Sequence, residues 1–314
     1  ISDVFDEEAE KIIRETGDKK IAYEDPDYHD FSVPKRARWD YLTSLTHDIG
    51  GAINKANDAL EEGNPESLEG VLSTVDFNDK DRLPDHILSQ LINHFSKIRL
   101  RNEDLEKPDI LGDAYEYLIA QFASSAGKKG GEFYTPKEVV ELLVEILDPK
   151  EGMRICDPAC GSGGMLIQSV HHLREKRQNP RNISLYGQEI NVGTWAICKM
   201  NLLLHGLQNA QVKRGDTLRD PQLLVKGQLM QFDIVIANPP FSLKNWGYER
   251  AQNDPYKRFR FGISPKGYAD YAFVQHMIAT VNSTGKVGVV LPHGALSVIN
   301  SQSFPFLDIQ TSLS

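Results

Sequence analysis

Met153-Arg154-Ile155-Cys156-Asp157-Pro158-Ala159-Cys160-Gly161-Ser162-Gly163-Gly164-Met165-Leu166-Ile167-Gln168-Ser169-Val170 reads as a short strand, a glycine-rich turn and the start of a helix. Glycines permit positive φ and close approach of backbone to a ligand, and a helix N-terminus offers free N–H groups. The spacing is not G-x-G-x-x-G, and no Gly-Lys-Ser/Thr follows for a triphosphate. The loop opens on an acid, Asp157, which disfavours phosphate and favours a cation or hydroxyls. S-adenosylmethionine offers both, as a sulfonium with an ammonium and as a ribose.

Downstream, Phe232-Asp233-Ile234-Val235-Ile236-Ala237 reads as a buried strand and runs into Asn238-Pro239-Pro240-Phe241. A side-chain amide there sits at the rim of a parallel sheet, where α/β proteins bind ligands. Two prolines fix the backbone and remove two N–H donors, leaving carbonyls as acceptors. Phe241 adds a flat apolar face. Such a group can accept hydrogen bonds from a planar conjugated amine while a ring stacks beside it, and the exocyclic amine of adenine is one such amine.

Around these two motifs strands alternate with helices. Strands are expected at 153–157, 183–189, 211–214, 232–237 and 286–291, and helices at 136–147, 164–177, 191–205 and 269–281. That alternation predicts an α/β, Rossmann-like, doubly wound parallel sheet. Residues 1–125 read as mainly helical, with helices over 1–20 ending at Gly17, from Thr46 or Asp48 to Leu60, from Pro84 to Lys97 and from Asp109 to Ala123. Asp25-Pro26-Asp27 reads as a turn. Gly127-Lys128-Lys129-Gly130-Gly131 is the expected link between a helical domain, 1–125, and the α/β domain, 126–314. Ile1-Ser2-Asp3-Val4-Phe5 resembles helix interior, so the chain is expected to begin inside a longer gene product. Past Gly294 the pattern weakens, and a full seven-stranded sheet would need two further strands.

At 314 residues, 40% apolar and 25% charged, the chain can bury a large core. No run of apolar residues is long enough to span a membrane, and no secretory signal opens the chain. Three cysteines without a CxxC pattern point to reduced thiols in the cytoplasm and away from a metal site. Cys156 and Cys198 are expected as small buried hydrophobes, and Cys160 as a pocket-lining residue without a catalytic role. His171, His172 and His276 are expected to pack or face solvent. The net charge of −9 is uneven: residues 1–130 carry 16 Lys+Arg against 28 Asp+Glu, and residues 131–314 carry 19 against 16. An acidic chain is a poor lone binder of DNA, because phosphate neutralisation supplies most non-specific affinity. If DNA is the substrate, a partner is expected to supply much of the grip.

Taken in order, Gly131-Glu132-Phe133-Tyr134-Thr135-Pro136, the Asp157–Gly164 loop, Asn238–Phe241 and Ala269-Asp270-Tyr271-Ala272-Phe273-Val274-Gln275-His276 resemble the modification (M) subunit of type I restriction-modification systems, an N6-adenine DNA methyltransferase. The resemblance runs from about Ser2 to Gly294. It implies S-adenosyl-L-methionine as methyl donor, a double-stranded DNA substrate with a flipped adenine, a specificity (S) subunit, a restriction (R) subunit, a second M subunit, and a bacterial or archaeal cytoplasm. It implies that Glu132, Phe133, Tyr134, Thr135, Pro136 and Lys137 lie by the methionine end of the donor, with Thr135-Pro136 capping the helix beginning there. Asp157 would take the donor's ammonium, with Ala159, Gly161, Ser162, Gly163 and Gly164 bringing backbone alongside. Glu189 would take the ribose hydroxyls and Asp216 the amine of the donor's adenine. Asn238 and Pro239 would accept the target amine's N–H groups, Pro240 would fix the turn and Phe241 would stack on the base.

Residues 244–266 interleave Lys244, Arg250, Lys257, Arg258, Arg260 and Lys266 with Trp246, Tyr248, Tyr256, Phe259 and Phe261. The expectation is a long loop that makes phosphate and base contacts near a flipped nucleotide and orders on DNA. Two other functions stay open on sequence. Protein-glutamine methyltransferases use a similar motif on another planar amine, and a chain of this pattern could be a silent cofactor-binding scaffold.

Overall fold

A computed structural model of the chain describes residues 1–107, 109–126 and 134–294. The chain divides into two compact units: Ile1–Tyr115 with Leu203–Gln208, and Glu116–Leu202 with the described residues from Asn209 on. The expected glycine link lies outside the described residues.

The first unit is helical. Helices α1 (Ser2–Thr16), α2 (Lys19–Glu24), α3 (Trp39–Thr43), α4 (Ile49–Gly63), α5 (Pro65–Leu68) and α6 (Asp85–Phe95) precede α7 (Ile110–Ala126), which begins in this unit. Helix α1 forms because Phe5, Ala9 and Ile12 recur on one face and are buried. It stops at Gly17, whose φ of 72° lets its N–H reach the Ile13 carbonyl. Phe5 then packs with Val33, Ala37, Leu42, Ala56 and Ala59 in one apolar cluster.

The second unit contains α8 (Lys137–Leu147), β1 (Arg154–Asp157), α9 (Gly164–Glu175), β2 (Ser184–Glu189), α10 (Val192–Leu204), β3 (Gln211–Arg214), β4 (Leu224–Val225), β5 (Gln228–Leu229), β6 (Phe232–Ala237), α11 (Tyr248–Ala251), α12 (Asp270–Thr280) and β7 (Val281–Val289). Five strands form one parallel sheet in the order β3-β2-β1-β6-β7. The order reverses at β1, and such a switch point opens a crevice at the carboxyl ends of the strands. Strand β1 is central and almost continuously buried, which explains its apolar run. The sheet core joins Cys156, Tyr186, Phe232, Val235, Ala237 and Met277.

Among the strands, β7 and the β4–β5 ribbon depart from expectation, and short helices α3, α5 and α11 form where none was expected. Strand β7 starts five residues early, because Val281 pairs with Phe232 before the register jumps and Lys286 pairs with Ile234. Asn282 anchors the excursion by donating to Asp233 Oδ1 at 2.7 Å. The β4–β5 ribbon has no counterpart among the expected strands. Its turn, Lys226-Gly227, has positive φ at both residues, 50° and 77°, as a tight primed hairpin turn demands. Among the described residues no helix is long and apolar enough to cross a membrane.

Candidate active site

The expected acids and the amide converge because three neighbouring strands end at one rim. Asp157 closes β1, Glu189 closes β2 and Asn238 follows β6 directly. Asp157 is buried, and its Oδ1 accepts from the Ala159 N–H at 3.0 Å. Burial pushes its carboxyl up to about 7, against the pull of the Ala159 N–H, with the Glu189 charge adding to the rise. Glu189 is also raised, by burial first, while the N–H groups of Asn191 and Gly161 counter it. Those two N–H groups meet its oxygens at 2.8 and 3.1 Å, so Glu189 ties the glycine loop to the end of β2.

The loop between Asp157 and α9 depends on its glycines. Gly161 and Gly163 have φ of 52° and 85°, and a Cβ on Gly163 would lie 2.9 Å from Cys198 Sγ. A side chain at Gly163 would therefore meet both a strained backbone and a filled space. Gly164 has open space around the Cβ position. Ser162 is buried, and its carbonyl accepts from Asn201 Nδ2 at 3.0 Å. All three cysteines are buried and free. Cys160 Sγ lies 3.8 Å from Cys198 Sγ, and that contact together with burial holds its thiol well above the usual range. Cys160 therefore packs under the loop.

Asp216 lies two residues past β3 and caps its own turn: Oδ1 accepts from the Leu218 and Arg219 N–H groups, both at 3.0 Å. Its other oxygen meets Arg219 Nη1 at 3.4 Å. The two carboxylates at one rim, on Asp157 and Glu189, remain the stronger match to a cation and a diol. The cradle of positive-φ glycines and carboxylates, with no basic side chain in the loop itself, fits a cationic nucleoside better than a phosphate.

Asn238 is half-buried, and its two amide atoms have different surroundings. Nδ2 donates to Thr135 Oγ1 at 3.1 Å. Oδ1 is buried and has no partner among the described residues. Leaving a buried acceptor unmade costs about 1–3 kcal/mol, a cost that a hydrogen-bond donor would relieve. Three residues on, Phe241 is 48% exposed although it comes soon after a buried strand. Pro239 is buried and Pro240 half-buried. An acceptor without a partner among the described residues, three positions before an exposed aromatic ring, is chemically suited to a planar amine.

Thr135 does not cap α8. The N-cap is Pro136, with no side-chain cap bond, and the Thr135 hydroxyl turns to Asn238 instead. Tyr134 is half-buried and its hydroxyl is raised by burial first. Lys137 is exposed and pairs with Glu141 one turn on, at 3.7 Å. Glu132 and Phe133 lie outside the described residues.

The segment after Phe241 corrects one expectation. Arg258 is not a surface phosphate contact: it is buried, donating to Asp254, to the carbonyls of Thr217 and Leu218, and to His276 Nδ1. Trp246 and Phe259 are likewise buried, in a cluster with Leu218, Ala251, Ala269, Ala272 and Phe273. The physical reason is α12, which is buried nearly all round and serves as a spine for this segment. Gln275 takes the Phe261 N–H and donates to the Gly262 carbonyl, and Asp270 Oδ1 accepts from the Ser242 N–H at 3.2 Å. Burial and the Arg258 charge lower His276 to about 3, so the ring is neutral and accepts at Nδ1. Lys244, Arg250, Lys257, Arg260 and Lys266 remain exposed, with Lys266 paired to Glu249 at 2.6 Å. His172 is buried between Glu145 and Asp148, at 3.1 and 3.0 Å. Among the described residues no group of His, Cys, Asp and Glu could hold a metal ion. Sequence reasoning assigns no individual role to Asp270 or Gln275; their signal is a polar residue inside an otherwise apolar helix pattern.

Residues 106–303, more than half of the chain, match the model of the N-6 DNA methylase family, and residues 1–95 match that of the HsdM N-terminal domain. The chain is 35% identical over 293 residues to the type I restriction enzyme MjaIX methylase subunit of Methanocaldococcus jannaschii, covering 90% of this chain and 51% of that protein. It is 35% identical over 284 residues to the HindI methylase subunit of Haemophilus influenzae, covering 84% and 62%. The chain thus spans about half to three-fifths of these relatives. The crystal structure of a type I restriction-modification methyltransferase subunit from Streptococcus thermophilus aligns with a TM-score of 0.76 at 28% identity, covering 94% of this chain and 67% of that one.

Proposed function

From the premise that the chain belongs to the N-6 DNA methylase family, we propose that it is the methylating subunit of a type I restriction-modification system, acting on the exocyclic N6 amine of adenine in DNA. The observation that carries this is Asn238 Oδ1, a buried acceptor with no partner among the described residues, three positions before the exposed Phe241. S-adenosylmethionine, when bound, supplies an electrophilic methyl group on a sulfonium. Asp157 would hold its ammonium, Glu189 its ribose hydroxyls, and Gly161, Ser162, Gly163 and Gly164 its flank. Asp216, with Oδ1 committed to its own turn and Oδ2 paired with Arg219, would meet its adenine amine through Oδ2, sharing or exchanging the Arg219 contact. Glu132, Phe133, Tyr134, Thr135, Pro136 and Lys137 belong to the segment assigned to the methionine end, where the Thr135 hydroxyl is already taken by Asn238 Nδ2.

The target nitrogen is a poor nucleophile because its lone pair is delocalised into the ring. Asn238 Oδ1 and the Pro239 carbonyl would accept its two N–H bonds, drawing the nitrogen toward tetrahedral geometry and freeing the lone pair. A nitrogen–carbon bond would form as the sulfur–carbon bond breaks, the donor would leave as a neutral thioether, and the excess proton on nitrogen would pass to solvent. Preorganised acceptors stabilise the positive charge that develops meanwhile. Phe241 would stack on the base. An amine inside a duplex is out of reach, so the adenine is flipped out. The exposed cations of residues 244–266 would meet phosphates.

Target choice falls to a specificity subunit and cleavage to a restriction subunit, with a second methylating subunit completing the assembly. The helical residues 1–125 would contact DNA or these partners, and residues 126–314 would carry the chemistry. A DNA substrate in a bacterial or archaeal cell means a cytoplasmic protein. The family match and the helical domain favour DNA over a protein glutamine as substrate. The test is transfer of labelled methyl groups to DNA in the presence of the specificity subunit. Asn238→Ala should lower turnover by roughly 10²–10³, and near-normal turnover would sink the reading. Calorimetry on the chain and on Asp157→Ala tests the donor site: binding that the substitution removes supports it, no binding to the folded chain would sink it, and binding without methyl transfer beside the specificity subunit would support a silent scaffold.

A further inference from the structure

We infer that Thr135 is a positioning residue for Asn238: its hydroxyl sets the rotation of the amide so that Oδ1, not the NH2 group, faces the target amine. This rests on the reading of Asn238 as the acceptor in methyl transfer. Two observations carry it. Asn238 Nδ2 donates to Thr135 Oγ1 at 3.1 Å, across a sequence separation of 103 residues. At the other end of the same amide, Oδ1 is buried with no partner among the described residues.

The two ends of a carboxamide are nearly the same shape and opposite in hydrogen bonding. Rotation by a half-turn about the last side-chain bond would place two donors against a target that is itself a donor. Strand β6 fixes where the Asn238 backbone lies, and Pro239 fixes the backbone beyond it, but neither fixes that torsion. The Thr135 hydroxyl, which can donate as well as accept, holds that torsion in the rotation seen, with Oγ1 accepting from Nδ2. Thr135 suits the task because Pro136 restricts it to extended backbone. Its hydroxyl is spare for the same reason, since α8 takes no side-chain cap. The two halves of the reaction are thereby linked. The segment before α8, assigned to the methyl donor, would also set the acceptor for the methyl recipient.

The test uses the full chain assembled with its specificity subunit. Thr135→Val removes the hydroxyl at nearly constant shape, and Thr135→Ser keeps it. Thr135→Val should lower kcat by about 10- to 100-fold while the donor Kd from calorimetry stays unchanged, and Thr135→Ser should restore turnover. In an Asn238→Ala background Thr135→Val should cost nothing further, because the group it positions is gone. The side-chain NH2 resonances of Asn238 should shift in Thr135→Val and hold in Thr135→Ser. Loss of donor binding with normal turnover at saturation would make Thr135 a donor contact and overturn the inference. Normal turnover in Thr135→Val beside an inactive Asn238→Ala would overturn it alone. Normal turnover in both would overturn the parent reading as well.

Discussion

Asp157, proposed to hold the donor's ammonium, would couple proton and ligand. Its carboxyl is raised from 3.8 to about 7 by burial, so the free site keeps its proton through the mildly acidic range. A cationic ligand needs the carboxylate. Donor affinity should therefore rise with pH and level off above about 7, weakening by about tenfold for each unit below. Calorimetry between pH 5 and pH 8, at roughly one-unit steps, checks this; Asp157→Asn should bind weakly at every pH with a flat profile. Stability of the ligand-free chain runs the other way. A raised carboxyl contributes stability that is full below its unfolded value and is lost as pH rises from 3.8 through about 7. Replacing Asp157 with Asn should remove that component, read as a flatter dependence of the melting temperature on pH.

At the scale of elements, α12 and the segment folded on it behave as one piece. The Arg258–Asp254 pair is almost fully enclosed, with side chains 2% and 5% exposed. Removing one member of such a pair leaves a buried charge and costs about 3–5 kcal/mol. Arg258→Met should destabilise the chain by that order in denaturant unfolding, and Asp254→Asn combined with it should recover part of the loss. A phosphate contact would behave differently: substitution would leave stability intact and reduce the salt dependence of DNA binding. The glycine loop is similarly tied from several sides, by Glu189 to Gly161, by Asn201 to Ser162 and by the Cys198 sulfur against Gly163.

For the whole molecule, charge sets the expectation. The chain carries a net charge of −9, and the positive excess lies in residues 131–314. Non-specific affinity for DNA comes mostly from phosphate neutralisation. The isolated chain should bind duplex DNA weakly in fluorescence anisotropy, and adding the specificity subunit should tighten binding and steepen its dependence on salt. Tight, steeply salt-dependent binding by the chain alone would contradict the proposed division of labour between subunits.

The order of strands and helices, the glycine loop and the Asn-Pro-Pro-Phe turn were legible in the sequence, because each depends on local rules. Alternation of apolar runs marks the strands, glycine marks positive φ, and proline marks a fixed turn. The rim that gathers Asp157, Glu189 and Asn238 was legible too, since parallel strands must end together. What tertiary structure alone decided was which polar groups are already spoken for. Arg258 resembles its exposed neighbours in sequence, yet an apolar helix and a paired acid enclose it. Thr135 resembles a helix cap, yet its partner lies 103 residues away. Asp216 spends both oxygens on its own turn and Arg219, while Asn238 Oδ1 has no partner among the described residues. A side chain's hydrogen-bonding capacity is set by its type, but whether it is used depends on neighbours that only the folded chain supplies.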